Sequence, residues 1–326
     1  MKVVFTDPVP ADWIQRIQAA LPEGASLQAV ASYSDEDFGR LAADADVLLT
    51  MTGRIDAARL AMAPRLRLVQ QLGTGYDNID VEAVRAAGVP AAHNPGANAV
   101  AVAEHTIMLM LVLLRQFPAC ERVTRAGAFA RPEGFRTTIE LSTATVGLVG
   151  LGAIGEAVAE RLAPFGPRLL YTTRHRRDAA TESRLRLEYS ELPALLAASN
   201  VVSIHARLTD ATYHLLGDAE LARMPAGSYL INTARGGIVD EEALRRAIER
   251  GQISGAAFDV LEHEREHVNT FADLPQVVVT GHMAGAGNAS FERMIERSVA
   301  NVVRAMQGEP VQNLLPELQP GDHLEP

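Results

Sequence analysis

Three glycines with the spacing of a phosphate-binding turn lie near the middle of the chain. They are Gly150, Gly152 and Gly155, preceded by the apolar residues 146–149 and followed by an amphipathic stretch. Glycines at these places permit a tight turn and a close approach of the backbone to a pyrophosphate, which the amide groups at a helix amino end then hold. Because strand, turn and helix follow in the required order, the segment predicts a dinucleotide site.

The end of the next predicted strand indicates which dinucleotide binds. NAD sites normally carry an acid here, about 20 residues after the glycines, to hold the ribose 2′-hydroxyl. Residues 171–177 contain no acid but three arginines and two threonines, including Thr173 and Arg174. Guanidinium and hydroxyl groups suit a 2′-phosphate, so the sequence favours NADP(H) over NAD(H). The alternative is a solvated basic turn in an enzyme whose NAD contact comes from elsewhere.

Three later strands are predicted to end in side chains that can bind an anion and move a proton. Arg235 follows one of these strands, Glu264 follows the next, and His282 follows the one after. Ligands of doubly wound sheets bind at the carboxyl ends of the strands. A guanidinium, a carboxylate and an imidazole on successive strands can therefore converge on one crevice.

At these residues the chain resembles the D-isomer-specific 2-hydroxyacid dehydrogenases, over nearly its whole length. The matching segments stand in the family's order: 72–80 (LGTGYDNID), 102–105 (VAEH), the glycine turn, 233–237 (TARGG), 259–264 (DVLEHE) and His282. The resemblance implies an NAD(P)-dependent enzyme that interconverts a small 2-keto acid and its D-2-hydroxy acid by hydride transfer. Glyoxylate or hydroxypyruvate reduction is the expected activity, because NADPH favours the reductive direction.

The family's catalytic roles are carried over to three residues. Arg235 would hold the substrate carboxylate with its planar fork, and His282 would protonate the carbonyl oxygen as hydride arrives. Glu264 would bond the other ring nitrogen, fix the tautomer and favour the charged imidazole. Glu262 competes for that place, but the family's spacing of five residues after Asp259 selects Glu264.

The resemblance also implies a set of binding residues. Expected substrate contacts, besides Arg235 and His282, come from Leu72, Gly73, Thr74 and Gly75. Expected cofactor contacts, besides the three glycines, come from Thr74, Ala153, Ile154, Thr173, Arg174, His205, Ala206, Thr233, Ala234, Arg235, Asp259, His282, Ala284 and Gly285. Pocket shape from Tyr76, residues 131–138 and the loop after Glu264 would set which acid fits.

Other functions on the same fold remain open. The family's transcriptional corepressor relatives keep the same three catalytic residues, so a nucleotide-sensing binding protein is one alternative. Phosphite and formate dehydrogenases are others, although formate enzymes carry Gln where Glu264 stands. A metal site from Glu262, His263, Glu264 and His267 is conceivable at helical spacing, but nothing forces a helix there and no metal is expected.

The elements that position these residues alternate along the chain. Strands are predicted at 2–6, 47–50, 68–71, 90–93, 144–149, 168–171, 201–205, 228–232, 255–259 and 277–280. Helices are predicted at 12–21, 36–43, 56–63, 81–87, about 99–123, 154–165, 191–198, 218–223, 240–250 and 291–307. Such alternation indicates an α/β fold with parallel sheets covered on both faces. The resemblance implies two doubly wound domains: a flavodoxin-like substrate domain (1–97 and 288–326) and an inserted Rossmann nucleotide-binding domain (98–287).

Composition limits the partners. The chain has 326 residues, a formal net charge of −10, 48% hydrophobic and 21% charged residues, and one cysteine, Cys120. The acidic balance without a basic cluster argues against nucleic acid, and one cysteine allows no internal disulfide. The longest apolar run, 107–114, is too short for a membrane span, and Asp7 and Pro8 interrupt any signal-peptide core, so a cytoplasmic protein is expected.

The same apolar run bears on assembly. It lies in the predicted helix 99–123, which Pro118 is expected to end or kink. A helix that is apolar on all sides is buried in a core or in a subunit interface. The resemblance implies a homodimer whose contact includes this helix and the irregular segment 124–142.

Overall fold

Two compact units make up the chain. A computed structural model describes residues 1–129, 138–266 and 268–319. The first unit comprises Met1–Asn98 and the chain from Gly287 onward, and the second is Ala99–Ala286. These bounds lie one residue from those expected for a discontinuous substrate domain and an inserted nucleotide-binding domain. Most of the 131–138 segment and His267 lie outside the described residues.

The first unit is built on a five-stranded parallel sheet in the order β2-β1-β3-β4-β5. This is the order of flavodoxin-like folds. The elements are β1 (Lys2–Phe5), α1 (Ala11–Ala20), β2 (Ser26–Ala29), α2 (Asp35–Ala42), β3 (Val47–Thr50), α3 (Ala57–Ala61), β4 (Leu68–Gln71), α4 (Val81–Ala87), β5 (Ala91–Ala92) and, near the other end of the chain, a helix at Asn288–Gln307. The central strands β3 and β4 are buried along their whole length, as expected for a parallel sheet that helices cover on both faces.

Local signals start the short helices of this unit. Ser34, Asp56 and Asp80 each precede a helix and accept a hydrogen bond from the backbone N–H three residues on. Such caps satisfy donors that have no partner within the helix. Because Asp56 and Asp80 fix the first turns of α3 and α4, they also fix where the loops after β3 and β4 end.

The second unit holds a seven-stranded parallel sheet in the order β12-β11-β10-β9-β6-β7-β8. This is the Rossmann order, with the reversal between β6 and β9. Its elements are α5 (Ala99–Leu114), α6 (Phe117–Arg125), β6 (Thr145–Val149), α7 (Ala153–Leu162), β7 (Arg168–Thr172), α8 (Ala179–Leu185), β8 (Leu187–Tyr189), α9 (Leu192–Ala198), β9 (Val201–Ile204), α10 (Asp218–Leu221), β10 (Ser228–Asn232), α11 (Glu241–Glu249), β11 (Ile253–Phe258) and β12 (Val277–Val279); the helix at Asn288–Gln307 is α12.

Three elements are absent from the sequence prediction: β2, α8 and β8. Both strands are sheet edges that pair on one side only, β2 with β1 and β8 with β7. Their sequences, SLQA and LEY, are short and contain polar residues. An edge strand faces water on one side, so its sequence lacks the continuous apolar run of a central strand.

The long predicted helix is in fact two helices, α5 and α6, at 64° to each other. The break comes before Pro118, at Gln116, whose φ of 50° lies in the left-handed region. Pro118 stands in the first turn of α6, where its missing N–H costs no hydrogen bond, so the proline begins a helix instead of ending one. No single helix among the described residues is long and apolar enough to cross a membrane, although this bent pair passes by length and composition.

Candidate active site

The glycine turn connects β6 to α7 in the manner the motif predicts. Gly150 has φ +97°, and a Cβ there would lie 2.7 Å from the His205 carbonyl and from Ala206 N. A Cβ on Gly155 would lie 2.5 Å from the Gly150 carbonyl oxygen. Both positions therefore admit only glycine, because the contacts are with rigid backbone. A Cβ on Gly152 would meet nothing within 4 Å, so the backbone is open at this point of the turn.

This turn fits the pyrophosphate of a dinucleotide. In the described part of the chain, no protein acceptor meets the N–H groups of Ala153, Ile154 and Gly155 at the amino end of α7. Unpaired amides and the positive end of a helix dipole form an anion site. The bound nicotinamide cofactor would supply the hydride for reduction.

His205 is a buried histidine beside the same turn. Its Nε2 lies 2.9 Å from Ser203 Oγ, while Nδ1 is buried and has no hydrogen-bond partner among the described residues. Burial lowers the pKa of its ring to about 4, so the imidazole is neutral at physiological pH. A neutral ring with one unused nitrogen next to the glycine turn agrees with the expected cofactor contact.

The basic segment after β7 is less uniform than its sequence indicates. Arg176 donates two hydrogen bonds to Glu182, at 2.8 and 2.9 Å. Those bonds and one from the Tyr171 hydroxyl lower the pKa of Glu182 to about 2, so this ion pair persists at neutral pH. Arg177 lies 2.7 Å from a Glu156 oxygen and donates to the Leu151 carbonyl at 2.5 Å.

Arg174 differs from these two arginines. It is exposed and forms no ion pair or hydrogen bond within the described ranges. It directly follows the half-buried Thr173, which stands where an NAD enzyme would carry its acid. Of the three arginines, Arg174 is therefore the one whose charge is not already neutralised.

The turn that carries Arg235 follows β10. The Asn232 side chain accepts from Ala234 N at 3.0 Å and donates to the Arg235 carbonyl at 2.8 Å, which closes the turn on itself. Gly236 packs so tightly that a Cβ would lie 2.1 Å from the Leu261 carbonyl carbon. The Arg235 turn therefore packs directly against the segment that follows β11.

Asp259 organises the loop that carries His282. The buried Asp259 carboxylate accepts from Thr280 Oγ1 at 2.6 Å and from the amides of Met283 and Ala284 at 2.7 Å each. His282 N donates to the Asp259 carbonyl at 2.5 Å. These bonds hold His282 at φ +59°, a conformation that few residues other than glycine adopt. Asp259, expected as a cofactor contact, therefore holds the loop that carries His282.

His282 and Glu264 meet in a hydrogen bond. His282 Nδ1 lies 2.9 Å from Glu264 Oε1, and the two side chains are 47% and 38% exposed, so the ring remains accessible. Burial acts to raise the pKa of the Glu264 carboxyl, but the hydrogen bond and charge of His282, helped by Leu261 N and Arg235, outweigh it and lower that pKa. The carboxylate is therefore ionised at neutral pH, and Arg235 is close enough to contribute.

Glu262 is engaged elsewhere. Its carboxylate accepts from the Tyr213 hydroxyl at 2.7 Å and lies 3.0 Å from His214 Nε2. The Glu262 amide donates to the buried Glu241 at 2.8 Å. The structure therefore brings Glu264, not Glu262, to His282. The contacts of Glu262 with Tyr213, His214 and Glu241 instead hold the segment that follows β11 in place.

Sequence reasoning did not identify Glu241 as part of this site. It directly follows the helix-capping Asp240, and an acid in a first helical turn is normally explained by the helix dipole. Glu241 is only 5% exposed and has no compensating cation among the described contacts. It instead accepts hydrogen bonds from Glu262 N and Thr270 Oγ1, which shows that it supports the segment after β11. No group of three His, Cys, Asp or Glu side chains that could hold a metal occurs in 1–129, 138–266 or 268–319.

In the first unit, the backbone carbonyls of residues 72–75, in the loop after β4, each have a hydrogen-bond partner. The carbonyls of Leu72 and Gly73 accept from Asn94 Nδ2 at 2.9 Å and from Asn94 N at 3.0 Å, and the Thr74 carbonyl lies 2.8 Å from His93 Nδ1. The Gly75 carbonyl accepts from the Gln71 amide.

The amides of the same loop are unpaired. The N–H groups of Gly73, Thr74 and Gly75 meet no protein acceptor in the part of the chain that the structure describes. With the carbonyls bonded and the amides unpaired, the loop offers a cluster of donors suited to a carboxylate.

Comparison with known proteins gives a consistent result. The family model of the D-isomer specific 2-hydroxyacid dehydrogenase NAD binding domain matches residues 107–284. The chain is 38% identical to the glyoxylate reductase of Thermofilum pendens over 280 residues, 85% of this chain and 83% of that protein. It is 33% identical to glyoxylate/hydroxypyruvate reductase B of Klebsiella pneumoniae over 319 residues, 95% of this chain and 97% of that protein.

A solved structure extends the likeness to three dimensions. The D-lactate dehydrogenase of Aquifex aeolicus, complexed with NAD and lactic acid, superposes with a TM-score of 0.87 at 28% identity, over 97% of this chain and 99% of that one. Sequence and fold thus agree with the chemistry of the glycine turn and of the histidine–carboxylate pair. The chain belongs to the D-isomer-specific 2-hydroxyacid dehydrogenases, and it is an NAD(P)-dependent oxidoreductase that interconverts 2-keto acids and 2-hydroxy acids.

Proposed function

We propose that this enzyme reduces glyoxylate or hydroxypyruvate to the D-2-hydroxy acid with NADPH, and that Arg235, Glu264 and His282 are its catalytic residues. The observation that carries the proposal is the 2.9 Å contact between His282 and Glu264, which leaves an accessible imidazole held by an ionised carboxylate. The names of the relatives, glyoxylate reductase and glyoxylate/hydroxypyruvate reductase, support the choice of substrate.

Each residue has a defined task in this proposal. Arg235 holds the substrate carboxylate with two parallel N–H groups, which a planar guanidinium offers at every physiological pH. His282 donates the proton on Nε2 to the carbonyl oxygen, while Glu264 holds Nδ1 and stabilises the charged ring. The second unit binds the cofactor, and the amides of Gly73, Thr74 and Gly75 in the first unit add carboxylate donors.

Replacing the imidazole tests the proton-transfer role. We expect His282→Ala to lower kcat for glyoxylate reduction by at least about a hundredfold, since general acid catalysis contributes about 10²–10⁴-fold. NADPH binding, followed by cofactor fluorescence, should stay nearly intact. His263→Ala is the control, because that ring is exposed and 3.6 Å from its nearest carboxylate. Wild-type turnover in His282→Ala would disprove the assignment.

Replacing the carboxylate tests the pairing with the imidazole. Glu264→Gln keeps the shape of the side chain but removes the negative charge that lies against His282 Nδ1. We therefore expect a lower kcat for glyoxylate reduction at saturating substrate. Glu262→Gln is the matched control, because Glu262 bonds Tyr213 and His214 instead. A kcat that falls in the control and not in Glu264→Gln would reverse the assignment.

The cofactor preference rests on Thr173 and Arg174. No acid repels a 2′-phosphate at Thr173, and Arg174 has no competing carboxylate among its described neighbours. A hydrogen bond to a charged group contributes about 1.5–3 kcal/mol, so NADPH should exceed NADH in kcat/KM by at least about tenfold, mainly through KM.

Variants at these positions should reverse the order. We expect Thr173→Asp combined with Arg174→Ala to prefer NADH in steady-state assays with both cofactors. Arg176→Ala is the control and should change the ratio little, because Glu182 already neutralises Arg176. A wild-type preference for NADH would show that the arginines are only surface charge.

We also propose a homodimer formed through α5 and α6. Four apolar side chains are exposed there: Val100, Met108, Phe117 and Val123, at 39%, 44%, 57% and 39%. The other side of α5 packs into the core of the second unit. Sedimentation should give about twice 35.0 kDa, and Met108→Glu with Phe117→Glu should shift the species to monomer. Only monomer for the wild type at micromolar concentration would contradict the proposal.

A further inference from the structure

The segment that follows α12, residues 311–318, runs along the edge of the first sheet, and we call it the strap. Leu314 forms an antiparallel bridge with Ala92 of β5. Leu315 N donates to the Ala91 carbonyl at 2.9 Å, and its side chain is fully buried in the core. The strap thereby covers the open edge of β5 and joins the five-stranded sheet.

One end of the strap reaches the loop after β4. The Tyr76 hydroxyl, 6% exposed as a residue, donates to the Glu317 carboxylate, with 3.3 and 3.1 Å to its two oxygens. Arg85 donates to the Glu317 carbonyl at 2.8 Å and fixes the backbone at that point. Tyr76 directly follows Gly75, so Glu317 secures the far end of the amide cluster.

The other end of the strap reaches the same loop through His93. His93 N donates to the Asn313 carbonyl at 3.0 Å, while the ring lies 2.8 Å from the Thr74 carbonyl through Nδ1. The His93 ring also meets the Tyr76 ring edge-on, at 5.0 Å between centroids. Both strap contacts therefore converge on residues 74–76.

Because the peptide bond is planar, a contact that fixes a carbonyl also fixes the direction of the N–H group in the same peptide. In a trans peptide the N–H points opposite to the C=O of the same unit. Bonding the Leu72, Gly73 and Thr74 carbonyls therefore sets the directions of the Gly73, Thr74 and Gly75 N–H groups, respectively. The Asn94 and His93 donors thus aim the three amides that we assign to the substrate carboxylate.

We propose that Glu317 and His93 are positioning residues for the keto acid, through which the strap sets the direction of the amide cluster. The inference rests on the proposed function, because it assumes that this cluster receives the substrate carboxylate. Neither residue touches the substrate in this proposal. Their effect is on KM for the keto acid, with cofactor affinity independent of them.

Paired variants separate positioning from general stability. Glu317→Ala and His93→Ala should each raise KM for glyoxylate by about threefold to tenfold, the value of one hydrogen bond. Glu317→Gln still accepts from Tyr76, and His93→Asn still offers an amide N–H near the place of Nδ1, so both should restore KM. The kcat at saturating glyoxylate and the Kd for NADPH should not change.

A second readout needs no turnover. In protein labelled with ¹⁵N-glycine, the amide resonances of Gly73 and Gly75 should move in Glu317→Ala and His93→Ala and return in Glu317→Gln and His93→Asn. The Gly152 resonance serves as control and should stay in place. If neither KM nor these resonances move in the alanine variants, or if they move equally in the conservative variants, the inference is wrong.

The two proposals fail in different ways. A wild-type protein that reduces no 2-keto acid would refute the proposed function. The glycine resonances would then decide alone whether the strap directs the amides. Normal keto acid reduction with unchanged KM and resonances in both alanine variants would refute the strap inference only.

Discussion

The hydrogen bond between Glu264 and His282 is the constraint that the loops after β11 and β12 must satisfy together. Two loops from neighbouring strands must place a ring nitrogen and a carboxylate oxygen 2.9 Å apart. Asp259 holds one loop through two amides and a hydroxyl, and Glu241 holds the other through the Glu262 amide. Parallel strands β11 and β12 bring both loops to the same sheet edge. A buried carboxylate that accepts several backbone hydrogen bonds fixes geometry without adding a reactive group to the site.

In the proposed function, the first unit binds the substrate carboxylate with backbone amides alone. An anion site made of amides carries no formal charge, so it would recognise a carboxylate by the direction of its donors. The direction of the Gly73, Thr74 and Gly75 N–H groups is set from the carbonyl side, by Asn94 and His93. The amino end of α7 is similar, because the Gly152 carbonyl accepts from Glu156 N at 2.9 Å while the Ala153 N–H of the same peptide meets no acceptor among the described residues. Both proposed anion sites therefore depend on peptide groups whose carbonyl side is occupied.

In the basic segment after β7, the number of arginines overstates the positive charge that is available to a ligand. Three arginines indicate a strongly positive surface, but Arg176 and Arg177 are paired with Glu182 and Glu156. These acids lie on α8 and α7, and α8 was missed in the sequence prediction. A charge count along the chain cannot show that neighbouring helices supply the counter-charges, because ion pairing depends on three-dimensional distance. Under the proposed preference for NADPH, Arg174 beside Thr173 is the arginine left to meet a 2′-phosphate.

The sequence by itself determined the class of fold and the glycine turn, and its resemblance to the family selected Glu264 over Glu262. The first two are local properties, namely burial on two faces and a glycine-only backbone. The tertiary structure alone decided the edge strands β2 and β8, the position of the helix break at Gln116 and the supporting roles of Glu241 and His93. It alone joined Tyr76 to Glu317, 241 residues further along the chain. Periodicity reports which face of an element is buried, whereas a directed hydrogen bond requires two atoms at a set distance and angle, which only the folded chain establishes.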